Sequence, residues 1–308
     1  MRNHVIDEIT KLAANDKRIM LVTADLGFNV VENFQESYPD RYINTGIAEQ
    51  NMAAVSAGLA LEGNMVFTYS IGNFPTLRCI EQIRNLICYH NANVKILAVG
   101  GGFAYGSLGM THHATEDIAV MRSLPNMKVY VPADAVEAVA CLRDLCKHDG
   151  PAYLRMARGR EDNIHLSKEK IDVSKCIALK SISEDVNILV SGTVAAEAVK
   201  LQKMIEEYGL GCGLYTVPRI KPIDYKSISE IASASKYILT LEEHNIIGGL
   251  GGSIAEVISD LPKHGVLMRY GLQDVYTSEV GNQDYLRDFY GLSAEKIFVD
   301  FKARVSKK

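Results

Sequence analysis

The sequence predicts an α/β protein built of two parallel-sheet domains, the second smaller than the first. Three observations carry that prediction. Short, almost continuously apolar runs rich in β-branched residues alternate with segments of helical period, the pattern of a parallel sheet covered on both faces. A polar, charged stretch over 158–175 interrupts the alternation, which then resumes. The chain has 308 residues, 47% of them hydrophobic, enough for two compact units with their own cores.

In chain order, Ile19-Met20-Leu21-Val22-Thr23 reads as a buried strand. Residues 50–61 read as a helix, with Met52, Val55 and Leu59 at three- and four-residue spacing. A short apolar run at 65–69 is followed by an expected helix at 77–87. Strands are expected at 94–99, 127–131 and 152–156. Between the last two, Pro132-Ala133-Asp134 opens a helix with Asp134 as cap and Glu137 three residues on. Beyond the polar stretch, strands at 186–190, 214–217, 237–241 and 266–269 flank helices at 195–208 and after Gly248-Gly249-Leu250-Gly251-Gly252. The division is therefore 1–162 and 176–308, with neither internal repeat nor low-complexity segment.

The formal net charge of −4 leaves no electrostatic footprint for nucleic acid, and the basic end at 307–308 reads as a frayed tail. Nothing approaches the roughly 18 apolar residues of a membrane span, and Met1-Arg2-Asn3-His4 lacks the apolar stretch of a signal peptide. Cys79, Cys88, Cys141, Cys146, Cys176 and Cys212 form no CxxC pair and no zinc spacing. They read as reduced core thiols of a cytoplasmic protein. No metal ligand set is expected from this chain. It has no P-loop, no GxGxxG at Gly100-Gly101-Gly102 and no GxSxG nucleophile elbow.

The stretch Asn44-Thr45-Gly46-Ile47-Ala48-Glu49-Gln50-Asn51-Met52 puts a carboxylate at the start of a helix, after a glycine turn, with apolar residues following. Glu49 is either a helix-dipole charge or a buried acid held for chemistry. Asp25-Leu26-Gly27 directly follows the first strand; it is either an ordinary turn or part of a ligand crevice at the carboxyl ends of the strands. Phe74, between Gly72 and Pro75, either offers a ring face to a flat heterocycle or belongs to the core. In Gly106-Ser107-Leu108-Gly109-Met110-Thr111-His112-His113, adjacent histidines point different ways, so one catalytic or substrate-binding histidine fits better than a metal pair. Gly248-Gly249-Leu250-Gly251-Gly252 is read as a tight connection rather than an anion site.

Taken in order, Asp25-Leu26, Gly46-Ile47-Ala48-Glu49-Gln50-Asn51-Met52, Phe74, Gly109-Met110-Thr111-His112, Asp149-Gly150-Pro151 and Glu242-Glu243-His244 with its following glycines resemble the carboxyl-terminal half of transketolase-type thiamine diphosphate enzymes. The resemblance spans nearly the whole chain. It implies a pyrimidine-binding domain at 1–162 and a transketolase C-terminal domain at 176–308. It implies that Glu49 hydrogen-bonds a ring nitrogen of the cofactor, that Phe74 stacks on its pyrimidine, and that Ile71, Leu26 and Asp25 line its pocket. His112 would face the substrate, and Arg158 and Arg155 would contact its phosphate.

The Gly-Asp-Gly that holds Mg²⁺ and the diphosphate in that family is absent. The resemblance thus implies one subunit of a split enzyme, completed by an amino-terminal transketolase-like subunit that brings Mg²⁺, with two copies of each chain. The expected reaction is transfer of a two-carbon ketol unit between sugars or specialised sugar derivatives. Alternatives are a deoxyxylulose-phosphate-synthase-like or 2-oxoacid dehydrogenase β-like subunit, or a non-catalytic regulatory one. The Thr111-His112 element favours a sugar over the dehydrogenase β reaction.

Overall fold

The structure is a computed structural model that describes residues 1–159, 161–165 and 171–306. The amino-terminal half runs α1 (Arg2–Asn15), β1 (Ile19–Thr23), α2 (Glu32–Ser37), β2 (Tyr42–Asn44), α3 (Glu49–Leu61), β3 (Met65–Ile71), α4 (Ile80–Gln82), β4 (Val94–Val99), α5 (Asp117–Ser123), β5 (Lys128–Tyr130), α6 (Ala135–Leu145) and β6 (Ala152–Met156). These strands are all parallel. The expected segment 158–175 lies partly outside the described residues, as does the basic end at 307–308.

The second half runs β7 (Ile177–Lys180), β8 (Val186–Ser191), α7 (Ala195–Glu207), β9 (Cys212–Thr216), β10 (Arg219–Lys221), α8 (Tyr225–Ala234), β11 (Tyr237–Asn245), α9 (Leu250–Ser259), β12 (Val266–Leu272), α10 (Gln283–Phe289) and α11 (Ala294–Val305). Its sheet has the order β12-β11-β8-β9-β7, parallel except for β7 at the edge. β10 leaves it and pairs antiparallel with β5, extending the first sheet to β10-β5-β6-β4-β3-β1-β2. That exchange was not legible in the sequence, because Arg219-Ile220-Lys221 between two prolines is too short to carry a period.

The two halves also share cores. One apolar cluster runs from Val22, Met52 and Ile96 through Val129 to Leu189, Tyr215 and Ile254. Phe103, fully buried, enters the core of the second sheet and stacks on Tyr290 at 5.5 Å between ring centroids.

Two local expectations turn out differently in detail. The helix expected at 77–87 is a 3₁₀ turn at Leu77–Cys79, then α4, then a π-helical stretch at Ile83–Cys88. Its buried residues Cys79, Ile83 and Ile87 recur every fourth position, wider than the 3.6 of an α-helix, and the π turn keeps them on one face. Asp134 caps α6 through Val136 N and Glu137 N, both at 3.0 Å. Glu137, however, reaches back to Ala133 N, one residue before the cap, while Asp134 Oδ2 takes Ile164 N and His165 N and so anchors the connecting segment.

Candidate active site

Parallel strands place everything that follows them on one edge of the sheet. Asp25 and Leu26 follow β1, Glu49 follows β2, Phe74 follows β3, His112 lies in the loop after β4, and Arg158 follows β6. Asp149-Gly150-Pro151 precedes β6 and therefore lies at the opposite edge; Lys95 Nζ donates to the Gly150 carbonyl there.

Glu49 is the first residue of α3 and is 3% exposed. Gly46 turns the chain into that helix at φ 71°, a conformation that favours glycine, although a Cβ there would meet nothing. The turn is fixed by Asn44, whose Oδ1 accepts from Gly46 N at 3.0 Å and from Asp25 N at 2.9 Å. The loops after β1 and β2 are thereby tied together, and Asp25 and Leu26 line a cavity of about 260 Å³ with Phe28, Tyr42 and Asn44. Ile71 ends β3, half-buried.

From Glu49 a continuous row of contacts crosses the edge of the sheet. The Glu49 carboxylate accepts from Arg78 Nη1 at 2.8 Å. The Arg78 guanidinium lies over the Phe74 ring at 4.6 Å, within cation–π range. Phe74 meets the His112 ring edge-on at 5.3 Å, and His112 is 6.5 Å from the Tyr105 ring. Arg158 lies over Tyr105 at 4.9 Å. Asn73 Nδ2 donates to the carbonyls of Thr111 and His113, locking the Phe74 loop to the His112 loop. Arg158 opens onto a cavity of about 780 Å³ that Arg2, Ser107 and Arg287 also line.

Sequence reasoning missed Arg78 and Tyr105. Both had a faint signal: Arg78 lies four residues after Phe74, and Gly100 precedes Tyr105 by five. A Cβ on Gly100 would stand 2.1 Å from the Tyr105 ring, and its φ is 87°, so glycine at 100 makes room for that ring.

The two histidines separate as expected. His112 is half-buried, and burial, then the neighbouring His113, hold its pKa below the ordinary value. It is therefore largely neutral near pH 7, able to accept or give a proton. His113 is buried between the Thr277 hydroxyl and the Gly106 carbonyl and has no free nitrogen.

Arg155 does not belong to the open row. It lies within β6, 6% exposed. Its Nε is 2.9 Å from Asp117 Oδ2, and its Nη2 donates to the Ala114 and Glu243 carbonyls. The structure sets Arg155 apart from the open row: its guanidinium is buried, paired with Asp117 and held by one carbonyl from each half, a placement that does not favour the phosphate contact read for it in the sequence.

Glu243 has a similar place, accepting from Phe103 N, Gln283 Nε2 and Arg287 Nε. Its Oε1 would lie 2.1 Å from a Cβ on Gly102, so that glycine admits the carboxylate. Glu242 accepts from Leu250 N and Gly251 N at the start of α9. The glycine-rich turn is thus a tight connection whose helix terminus is filled by the chain's own carboxylate. Among the described residues no cluster of three or more His, Cys, Asp or Glu is arranged to hold a metal ion.

The family model for the transketolase pyrimidine-binding domain matches residues 1–161, and that for the transketolase C-terminal domain matches 175–297. The chain belongs to the transketolase family. A putative transketolase C-terminal section from Methanocaldococcus jannaschii is 36% identical over 301 residues, 96% of this chain and 93% of the relative. A 6-deoxy-6-sulfo-D-fructose transketolase subunit from a Clostridium species is 33% identical, covering 96% of this chain and 92% of its own. Among solved structures, a split gene transketolase described as an inactive β4 tetramer superposes with a TM-score of 0.88 at 33% identity, covering 97% of this chain and 95% of that one. The transketolase fold expected from the sequence is therefore the fold observed.

Proposed function

We propose that this chain is the carboxyl-terminal subunit of a split, thiamine-diphosphate-dependent transketolase that moves a two-carbon ketol unit between sugars. Residues 1–162 would form its cofactor-facing domain and 176–308 its C-terminal domain. The observation that carries this reading is the placement of Glu49 and Phe74 on either side of one planar group. The buried carboxylate and the aromatic face already accommodate a flat, N–H-donating guanidinium between them. An aminopyrimidine has the same flatness, and its ring nitrogen, once protonated, donates to a carboxylate in the same way, so the residues present fit the family's cofactor.

When bound, the cofactor supplies a carbon nucleophile. The chain's residues orient it and move protons. Glu49, itself buried beside the buried Met52 and Ala53 of its own helix, would exchange a proton with a pyrimidine nitrogen. Phe74 stacks on the ring, with Ile71 and Leu26 as apolar walls and Asp25 beside them. His112, largely neutral, takes or gives the proton of a sugar hydroxyl. Arg158 holds the anionic end of the sugar, a role supported by its opening onto the large cavity and by a relative named for a sulfonated sugar.

The Mg²⁺ and diphosphate site would come from a partner carrying the Gly-Asp-Gly that this sequence lacks, in an assembly of two copies of each chain. A solved relative named as an inactive β4 tetramer supports the need for that partner. We place the enzyme in the cytoplasm, where its six free thiols stay reduced; no helix among the described residues is long and apolar enough to cross a membrane.

The test is calorimetric titration of thiamine diphosphate and Mg²⁺ into this chain alone and with its candidate partner. Tight binding only in the mixture, followed by aldehyde-dependent turnover of a ketose, is the expected result. Turnover of an oxoacid instead of a ketose would replace ketol transfer with the synthase-like reaction. No binding in the mixture would overturn the reading.

A further inference from the structure

We infer that Arg78 is a built-in stand-in for the cofactor's pyrimidine: its side chain fills the berth between Glu49 and Phe74 in the unpartnered chain and must swing out for the cofactor to enter. The inference rests on the cofactor reading above and adds a residue and a step to it.

Three observations on the residue itself carry the argument. First, the guanidinium makes the two contacts the pocket offers to a flat heterocycle, a hydrogen bond to the buried Glu49 carboxylate at 2.8 Å and a cation–π contact over the face of the Phe74 ring at 4.6 Å. One planar group at a time can take both. Second, the backbone of Arg78 is pinned while its side chain is not. Its carbonyl accepts from Gln50 Nε2 at 3.1 Å and its N–H donates to the Asn73 carbonyl at 3.3 Å. Its side chain is 49% exposed, against 3% for Glu49. Among the described residues, Glu49 is its one polar partner. Departure is thus a rotamer change into open solvent, with no backbone movement.

Third, the exchange makes chemical sense. An unpartnered carboxylate at 3% exposure is costly, and Arg78 supplies the missing counter-charge. But a guanidinium is permanently protonated, so Glu49 cannot exchange a proton with it. Replacing Arg78 by a ring nitrogen gives the carboxylate a partner with which exchange is possible. In the empty subunit Glu49 then has an ion-pair partner with which no proton can be exchanged, and proton exchange begins only with the cofactor in place.

A competitor that occupies the site lowers apparent affinity by the fraction of time it is there. The experiment uses the complex of this chain with its Gly-Asp-Gly partner, wild type against Arg78→Met and Arg78→Lys. It titrates thiamine diphosphate with Mg²⁺ by calorimetry and records melting with and without saturating cofactor. Arg78→Met is expected to bind about tenfold tighter, a gain of about 1.4 kcal/mol, and to melt lower than wild type only when cofactor is absent. Arg78→Lys, which keeps the charge but not the planar stack, falls between. Equal or weaker binding by both variants, with the same loss of melting temperature in both states, overturns the inference and makes Arg78 an ordinary structural or cofactor-holding residue. Absence of binding by wild type and variants alike overturns the cofactor reading and takes this inference with it.

Discussion

Arg155 and Arg158 leave the same strand three residues apart, and His112 and His113 are neighbours, yet each pair divides between two regions of opposite character. One region is the open row Glu49–Arg78–Phe74–His112–Tyr105–Arg158. The other is the junction between the two sheets, where Asp117, Tyr153, Arg155, Glu242, Glu243 and His244 are all buried. The junction is the more highly charged and the more deeply buried. Tyr153 donates to Asp117, Arg155 closes on two carbonyls, and Glu243 takes donors from a backbone amide, a glutamine and an arginine. In the open row, Arg158 and His112 face cavity or solvent. Charge density alone does not mark a site; unused bonding capacity facing open space does.

The sharpest way to break that comparison is Glu49→Gln in the reconstituted complex. It should lower ketol transfer by ~10²–10⁴-fold while leaving the melting curve of the free chain close to wild type; initial rates and a thermal scan measure both. Glu243→Ala should do the reverse. Removing the acceptor strands Arg287, Gln283 and Phe103 N, and loss of one side of a buried pair costs about 3–5 kcal/mol, read as a shift in the urea midpoint.

A third effect separates the regions by pH. Burial pushes the His244 pKa from 6.5 down to about 4. His244 therefore binds fewer protons in the folded chain than in the unfolded chain between those values. The contribution of His244 to stability is complete above pH 6.5 and falls as pH drops toward 4, by up to about 3 kcal/mol at 1.4 kcal/mol per unit, whereas the neighbouring Glu242, pushed up from 4.5 to about 7 by burial, contributes with the opposite sign. Denaturant melts from pH 7 to pH 4 should isolate this slope as the difference between wild type and His244→Asn. The smallest effect comes from the histidine pair. His113→Ala loses two buried hydrogen bonds and should cost about 1–3 kcal/mol. His112→Ala should change stability by no more than about 0.5 kcal/mol and show its loss in turnover instead.

Much of this was written locally. The β-rich runs at 19–23, 94–99 and 152–156 became β1, β4 and β6, because a strand buried on both faces leaves a continuous apolar signature. The cap at Asp134 and the helix beginning at Glu49 were equally legible, since caps and helical period are short-range. From the strand order follows the common edge that gathers Asp25, Glu49, Phe74, His112 and Arg158.

Other features had no local expression. Nothing in Arg155 or Arg158 says which is buried, because that depends on Asp117 and Glu243 approaching from distant segments. The exchange of β10 depends on an edge left open by β5, and Phe103 becomes core only against the second sheet. The sequence by itself determined the sheet order of chemistry, the two α/β halves and the carboxylate at the head of α3, since these follow from backbone period and turn geometry. The tertiary structure decided which charges are satisfied and which are free, since hydrogen-bond partners and burial are supplied by residues far apart in the chain.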